Sequence, residues 1–97
     1  MKLLALEIDV PDVPESAFTE DILRQEAARV WELYQAGTVR EMYFRSDRVA
    51  AVLTLECADL NEAQTVMSSL PLVQGNLIRF EIIPLVAYPG FERLFIK

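Results

Sequence analysis

Residues 38–57 read TVREMYFRSDRVAAVLTLEC, and two β-strands joined by a turn at Ser46-Asp47 account for the whole stretch. On the first strand Met42 and Phe44 point one way, and Val39, Glu41, Tyr43 and Arg45 point the other. On the second, Val49, Ala51, Leu53, Leu55 and Cys57 form a continuous apolar face, while Ala50, Val52, Thr54 and Glu56 form a mixed one. Side chains alternate across a strand, so these two lists define two different surfaces of one hairpin.

A helical pattern flanks the hairpin on each side. Upstream, a helix starts between Ser16 and Thr19 and runs to Ala36, with Gly37 placed to stop it. Glu20 and Asp21 lie near its start, where the helix dipole favours negative charge. At about 100° per residue, Ile22, Leu23, Ala27, Val30, Leu33 and Tyr34 share one arc. Glu26 lies inside that arc, a carboxylate among apolar neighbours. Downstream, Asp59 with Glu62 three residues later makes a capping pair for a shorter helix. Ala63, Val66, Met67 and Leu70 are its buried stripe, and Pro71 and Gly75 bracket a loop.

Two outer strands complete the order. Residues 3–10, LLALEIDV, alternate with Leu4, Leu6, Ile8 and Val10 on one side and Leu3, Ala5, Glu7 and Asp9 on the other. Pro11 and Pro14 end that strand. The last strand runs from about Leu77 to Leu85, with Ile78, Phe80 and Ile82 on one face. The order βαββαβ predicts an α+β, ferredoxin-like domain spanning residues 1–97: a four-stranded antiparallel sheet with two helices on one face. The clean apolar faces are expected under the helices. Leu3, Ala5, Glu7, Tyr43, Arg45, Val52, Thr54, Arg79 and Glu81 are expected among the residues of the other face. That face is too apolar for water, so two sheets packed face to face in a barrel-like dimer are expected. The tail FERLFIK, residues 91–97, carries four apolar residues and is expected to dock on a neighbour or on its own barrel. Trp31, at the edge of the helix arc, marks a subunit contact or packing against that tail.

Composition narrows the chemistry. The net charge is −6 with no basic run, which disfavours phosphate backbones and anionic lipid as partners. There is no histidine, so His-based acid–base chemistry, a Ser-His-Asp triad and His ligation of metal or haem are excluded. A single cysteine without histidine makes a zinc site unexpected. Cys57 has no partner for an internal disulfide, and the short N-terminal apolar run is broken by Glu7 and Asp9, so a cytoplasmic location is expected. Cys57, Met42 and Met67 read as core residues.

Four polar groups remain as candidates. Glu26, in an apolar stripe, has the setting of a proton-transfer base with a raised pKa, or else pairs with Arg29 or another arginine. Tyr43 donates a hydrogen bond to a developing enolate oxygen, or packs in a barrel with its hydroxyl satisfied locally. Arg45 and Arg79 hold a substrate carboxylate, or are neutralised by Glu7 or Glu81. Thr54 on the same face completes the candidate substrate-binding set.

The chain resembles the muconolactone isomerase family, a branch of the dimeric α+β barrel proteins. The resemblance rests on the acidic, Leu/Ala-rich first helix closing on Ala36-Gly37-Thr38, on Arg40 and Tyr43, and on Ser69-Leu70-Pro71-Leu72 after the second helix. It implies cofactor-independent proton transfer on a small lactone and oligomers built from barrel-like dimers. When the Gly37-Thr38 junctions are aligned, the family's proton-transferring glutamate falls on Glu26. Tyr43 stands where the founding enzymes carry tryptophan. A non-catalytic ligand-binding or oligomerisation module of the same barrel type is the main alternative. Cofactor-free, monooxygenase-like oxidation of phenolic substrates is a further one.

Overall fold

The computed structural model describes residues 1–96. Its main elements are β1 (Lys2–Asp9), α1 (Glu20–Gln35), β2 (Val39–Phe44), β3 (Ala51–Glu56), α2 (Leu60–Ser68), α3 (Pro71–Gln74) and β4 (Ile78–Pro84). The strands form one antiparallel sheet in the order β2-β3-β1-β4. This is the ferredoxin-like α+β arrangement expected from the βαββαβ order. No helix among the described residues is long and apolar enough to cross a membrane.

Local chemistry sets the element ends. The Thr19 hydroxyl accepts from the Ile22 N–H at 3.2 Å and starts α1. Gly37, at φ +80°, reverses the chain after it, a conformation that a residue with a Cβ resists. Asp59 accepts from the Glu62 N–H at 2.8 Å, and Glu62 reaches back to the Ala58 N–H at 3.0 Å. Two orphan donors at the start of α2 are thereby satisfied. Pro71 opens α3, a single turn where the sequence suggested only loop. The hairpin connection spans residues 45–50, closed by a bond from Arg45 N–H to the Ala50 carbonyl, and is wider than a tight turn at Ser46-Asp47.

The core lies between the helices and one face of the sheet. Leu3, Ala5, Val39, Leu53, Leu55 and Cys57 from the strands meet Leu33, Ala63, Met67 and Leu70 from the helical side. Burial of each such leucine contributes about 1.5–3 kcal/mol.

Two strands present their faces differently from the sequence reading. On β1 it is Leu3, Ala5 and Glu7 that face the helices, while Leu4, Leu6 and Ile8 face outward. The assignment rested on the more apolar side seeking the helices. The outward side of β1 is itself apolar at Leu4, Leu6 and Ile8, so hydrophobicity alone does not choose between the two sides. On β2 a register shift between Val39 and Glu41 places an extra residue, Arg40, opposite the β3 ladder. Val39 therefore pairs with Leu55 and is buried, whereas Glu41 and Tyr43 face outward beside Thr54 and Val52.

Candidate functional site

α1 turns Ile22, Glu26, Arg29, Val30 and Leu33 inward, a stripe rotated from the arc expected of the sequence. Leu23 and Tyr34 stand about half exposed instead. Glu26 thus sits in the layer between helix and sheet. Its Oε1 accepts a hydrogen bond from the Leu72 N–H at 2.9 Å, in the first turn of α3. Its Oε2 has no hydrogen bond among the described residues. Burial pushes the Glu26 carboxyl above its ordinary pKa of 4.5; the Leu72 N–H pulls in the opposite direction, and the charge of Glu7 adds to the upward push.

Glu7 enters this setting through β1. Its register opposite Phe80 places it on the helix side, and its Oε1 accepts from the Ala51 N–H at 3.0 Å. Sequence reading placed Glu7 on the other face, as a partner for arginine. The missed signal is a carboxylate in β1 at the same face parity as Leu3 and Ala5, both fully buried. Arg29 offers no charge to Glu26: it bonds the Ser69 hydroxyl at 2.9 Å and Glu32 at 3.3 Å. The Ser69-Leu70-Pro71-Leu72 segment is therefore the part of the chain that meets both Arg29 and Glu26.

Tyr43 and Thr54 stand on the outward face of the sheet. The Tyr43 hydroxyl donates to Glu41 at 3.0 Å, and the Thr54 hydroxyl donates to the other oxygen of Glu41 at 3.4 Å. That bond and the Glu41 charge raise the Tyr43 pKa. Arg79 reaches the same face from β4, opposite Ile8, and forms no ion pair among the described residues. Arg45 lies just beyond β2 and is clamped to Asp47 through two bonds, at 2.8 and 2.6 Å. Neither arginine pairs with Glu7 or Glu81. The sheet separates Tyr43, Thr54 and Arg79 from Glu26, so a single chain brings the first three to one face and does not bring Tyr43 to Glu26.

A shallow cavity of about 130 Å³ lies elsewhere in the helix–sheet layer, between α2, α3 and β4, lined by Gln64, Met67, Ser68, Val73, Phe80 and Ile82. Among the described residues no group of three or more Cys, Asp or Glu side chains is placed to hold a metal ion.

Against known proteins, the family model for muconolactone delta-isomerase matches residues 3–90. The crystal structure of a muconolactone isomerase superposes with a TM-score of 0.73 at 17% identity, over 93% of each chain. The 5-chloro-2-hydroxyhydroquinone dehydrochlorinase of Burkholderia phenoliruptrix AC1100, in complex with 2,5-dihydroxybenzoquinone, superposes with a TM-score of 0.71 at 13% identity, over 93% of this chain and 98% of that one. Both likenesses establish a shared fold. Among curated proteins no sequence relative reaches significance.

Proposed function

Because the chain belongs to the muconolactone delta-isomerase family, we propose that it is a small enzyme that moves a proton within a small lactone or a related C–H-acidic metabolite, with Glu26 as the base and without a cofactor. The observation that carries this reading is the half-buried Glu26 carboxylate, raised in pKa, with one oxygen held by Leu72 and the other without a hydrogen bond among the described residues. A base must be strong enough to accept a proton from carbon yet ionised near neutrality, and burial tunes a carboxylate toward that balance. Glu26 Oε2 takes a proton from the carbon next to the lactone carbonyl. The electron pair moves into the carbonyl as an enolate, the Glu26 carboxyl exchanges its proton with solvent, and a proton returns from it to carbon at the far end of the conjugated system. No atom is gained or lost.

A specific observation favours a second reading. The outward sheet face sets the Tyr43–Glu41–Thr54 cluster among Leu4, Leu6, Ile8, Val52 and Ile83. Two such faces apposed in a homodimer would enclose an apolar space with a polar spot in it, suited to a small phenolic or quinoid ligand. On that reading Tyr43, Thr54 and Arg79 bind ligand and Glu26 only caps α3.

The test is proton exchange. An unsaturated five-membered lactone is incubated with the protein in D2O and followed by NMR for deuterium at carbon. Exchange by the wild-type chain and its loss in Glu26→Gln support the first reading. Equal exchange by both chains refutes it, and ligand-dependent shifts abolished by Tyr43→Phe alone favour the second. Oxygen uptake with a polyphenol separates an oxidative activity from both.

A further inference from the structure

α1 carries a second apolar stripe that its own chain leaves bare. Leu23, Ala27, Trp31 and Tyr34 fall within an arc of about 80° at the helical period, and Trp31 is 57% exposed. The Trp31 and Tyr34 rings stack with centroids 5.9 Å apart. The other flank of the helix is occupied, with Arg29 on Ser69 and Ile22 beside Gly75. The bare stripe therefore overhangs the opposite side, where β2 is the edge of the sheet. There Met42 and Phe44, on the helix-facing side of β2, are also exposed, Phe44 at 71%. Helix flank and strand edge together make an apolar shelf.

The chain also carries an apolar segment without a surface to cover. Past β4 the residues Phe91, Leu94, Phe95 and Ile96 are each about two-thirds or more exposed. The segment is not shapeless: Gly90–Leu94 form a 3₁₀ turn, and Tyr88 meets Phe91 edge to face at 5.1 Å. A segment already bent into shape gives up less freedom on docking. It projects from the body, since the radius of gyration is 16.0 Å where a compact chain of this length has about 12.5 Å. It leaves from β4, the sheet edge opposite the shelf, about 14 Å away across three strand spacings.

We propose that residues 85–96 of one copy lie in the α1/β2 shelf of a second copy. Each large aromatic brings about 150–250 Å² of surface, so two tails docked reciprocally, with the shelves they cover, pass the ~1,200 Å² at which stable interfaces begin. The contact is separate from the outward sheet face and leaves Glu26 untouched.

Trp31 is the only tryptophan, which makes the shelf its own reporter. Acrylamide quenching of Trp31 fluorescence is compared between the wild-type chain and a Leu94→Asp/Phe95→Asp chain. These two side chains are exposed on their own copy, so the substitutions leave its core intact. Quenching is expected to rise several-fold in the variant. In parallel, p-benzoylphenylalanine is placed at position 91 or 95 of the full chain, and light- and heavy-isotope preparations are mixed, irradiated and digested. Cross-links to α1 or β2 peptides of mixed isotope are expected. Equal quenching in the two chains overturns the proposal. So do cross-links confined to single-isotope pairs, which place the tail on its own shelf.

Discussion

Glu26 on α1 is joined to Leu72 on α3 by a 2.9 Å hydrogen bond that spans 46 residues of sequence. One carboxylate oxygen thereby closes the start of a helical turn, and the other is left in the helix–sheet layer without a hydrogen-bond partner among the described residues. The same contact is what a structural cap and a positioned base would both use, so a substitution must separate them.

Glu26→Gln does so. The glutamine carbonyl can still accept from the Leu72 N–H, so stability should change by no more than about 1 kcal/mol. Proton exchange at carbon should fall by ~100-fold or more, because the amide cannot take a proton. Urea denaturation and NMR exchange on the same two preparations check both halves. A full loss of fold with the loss of exchange would leave Glu26 as a cap only.

The pH dependence follows from the direction of the Glu26 shift. Burial, helped by the Glu7 charge, raises the carboxyl above 4.5 against the pull of the Leu72 N–H. Between 4.5 and the raised value the folded state holds more protons than the unfolded state, so the contribution of Glu26 to stability is full below this window and is lost as pH rises through it. The exchange rate runs the other way and fails as pH falls through the folded value, when the base becomes protonated. Glu7→Gln removes the like charge while its amide oxygen can still accept from Ala51, and should move the acid limb of the rate profile to lower pH. An unmoved limb would remove Glu7 from the site.

Cys57 should be inert in the native protein. It is 4% exposed, and burial followed by the charge of Glu62 raises its thiol pKa. Thiolate is the reacting species, so labelling by an aromatic disulfide reagent should wait on unfolding. Reaction at the rate of a free thiol in buffer would contradict the packing of β3 against the helices.

The order of elements was legible because each rests on local signals: a period of two in the strands, Thr19 and Asp59 as caps, Gly37 as a stop. Face assignment was less so. A bulge at Arg40 reverses Val39, and no periodicity announces it. On β1, Leu3-Ala5-Glu7 and Leu4-Leu6-Ile8 differ too little in hydrophobicity for composition to say which side the helices take. Glu26 stood out as a carboxylate in an apolar stripe. Glu7 did not, because its significance depends on a choice of face that only the packed sheet makes. The Arg45–Asp47 clamp is a product of the wide hairpin loop, which a tight turn would not have allowed.

The outward face of the sheet carries the final prediction. Leu4, Leu6, Ile8, Val52 and Ile83 lie there side by side, and Ile8 is 44% exposed. An apolar sheet face of this kind marks an association surface. Apposition with a second copy would bury it in the manner of a barrel-like dimer. In a two-fold interface each substitution acts twice. At about 1.5–3 kcal/mol for each buried leucine, Leu6→Asp should weaken self-association by roughly 3–6 kcal/mol, or two to four orders of magnitude in dissociation constant. The fold of each copy should survive, since Leu6 is outside the core between sheet and helices. Sedimentation velocity measures this best in a Leu94→Asp/Phe95→Asp background, where tail contacts cannot hold copies together. A monomer of native circular dichroism is the expected product of adding Leu6→Asp to that background, from a parent that is a dimer or a multiple of one. A parent already monomeric, or an assembly unmoved by Leu6→Asp, would show that the sheets do not meet.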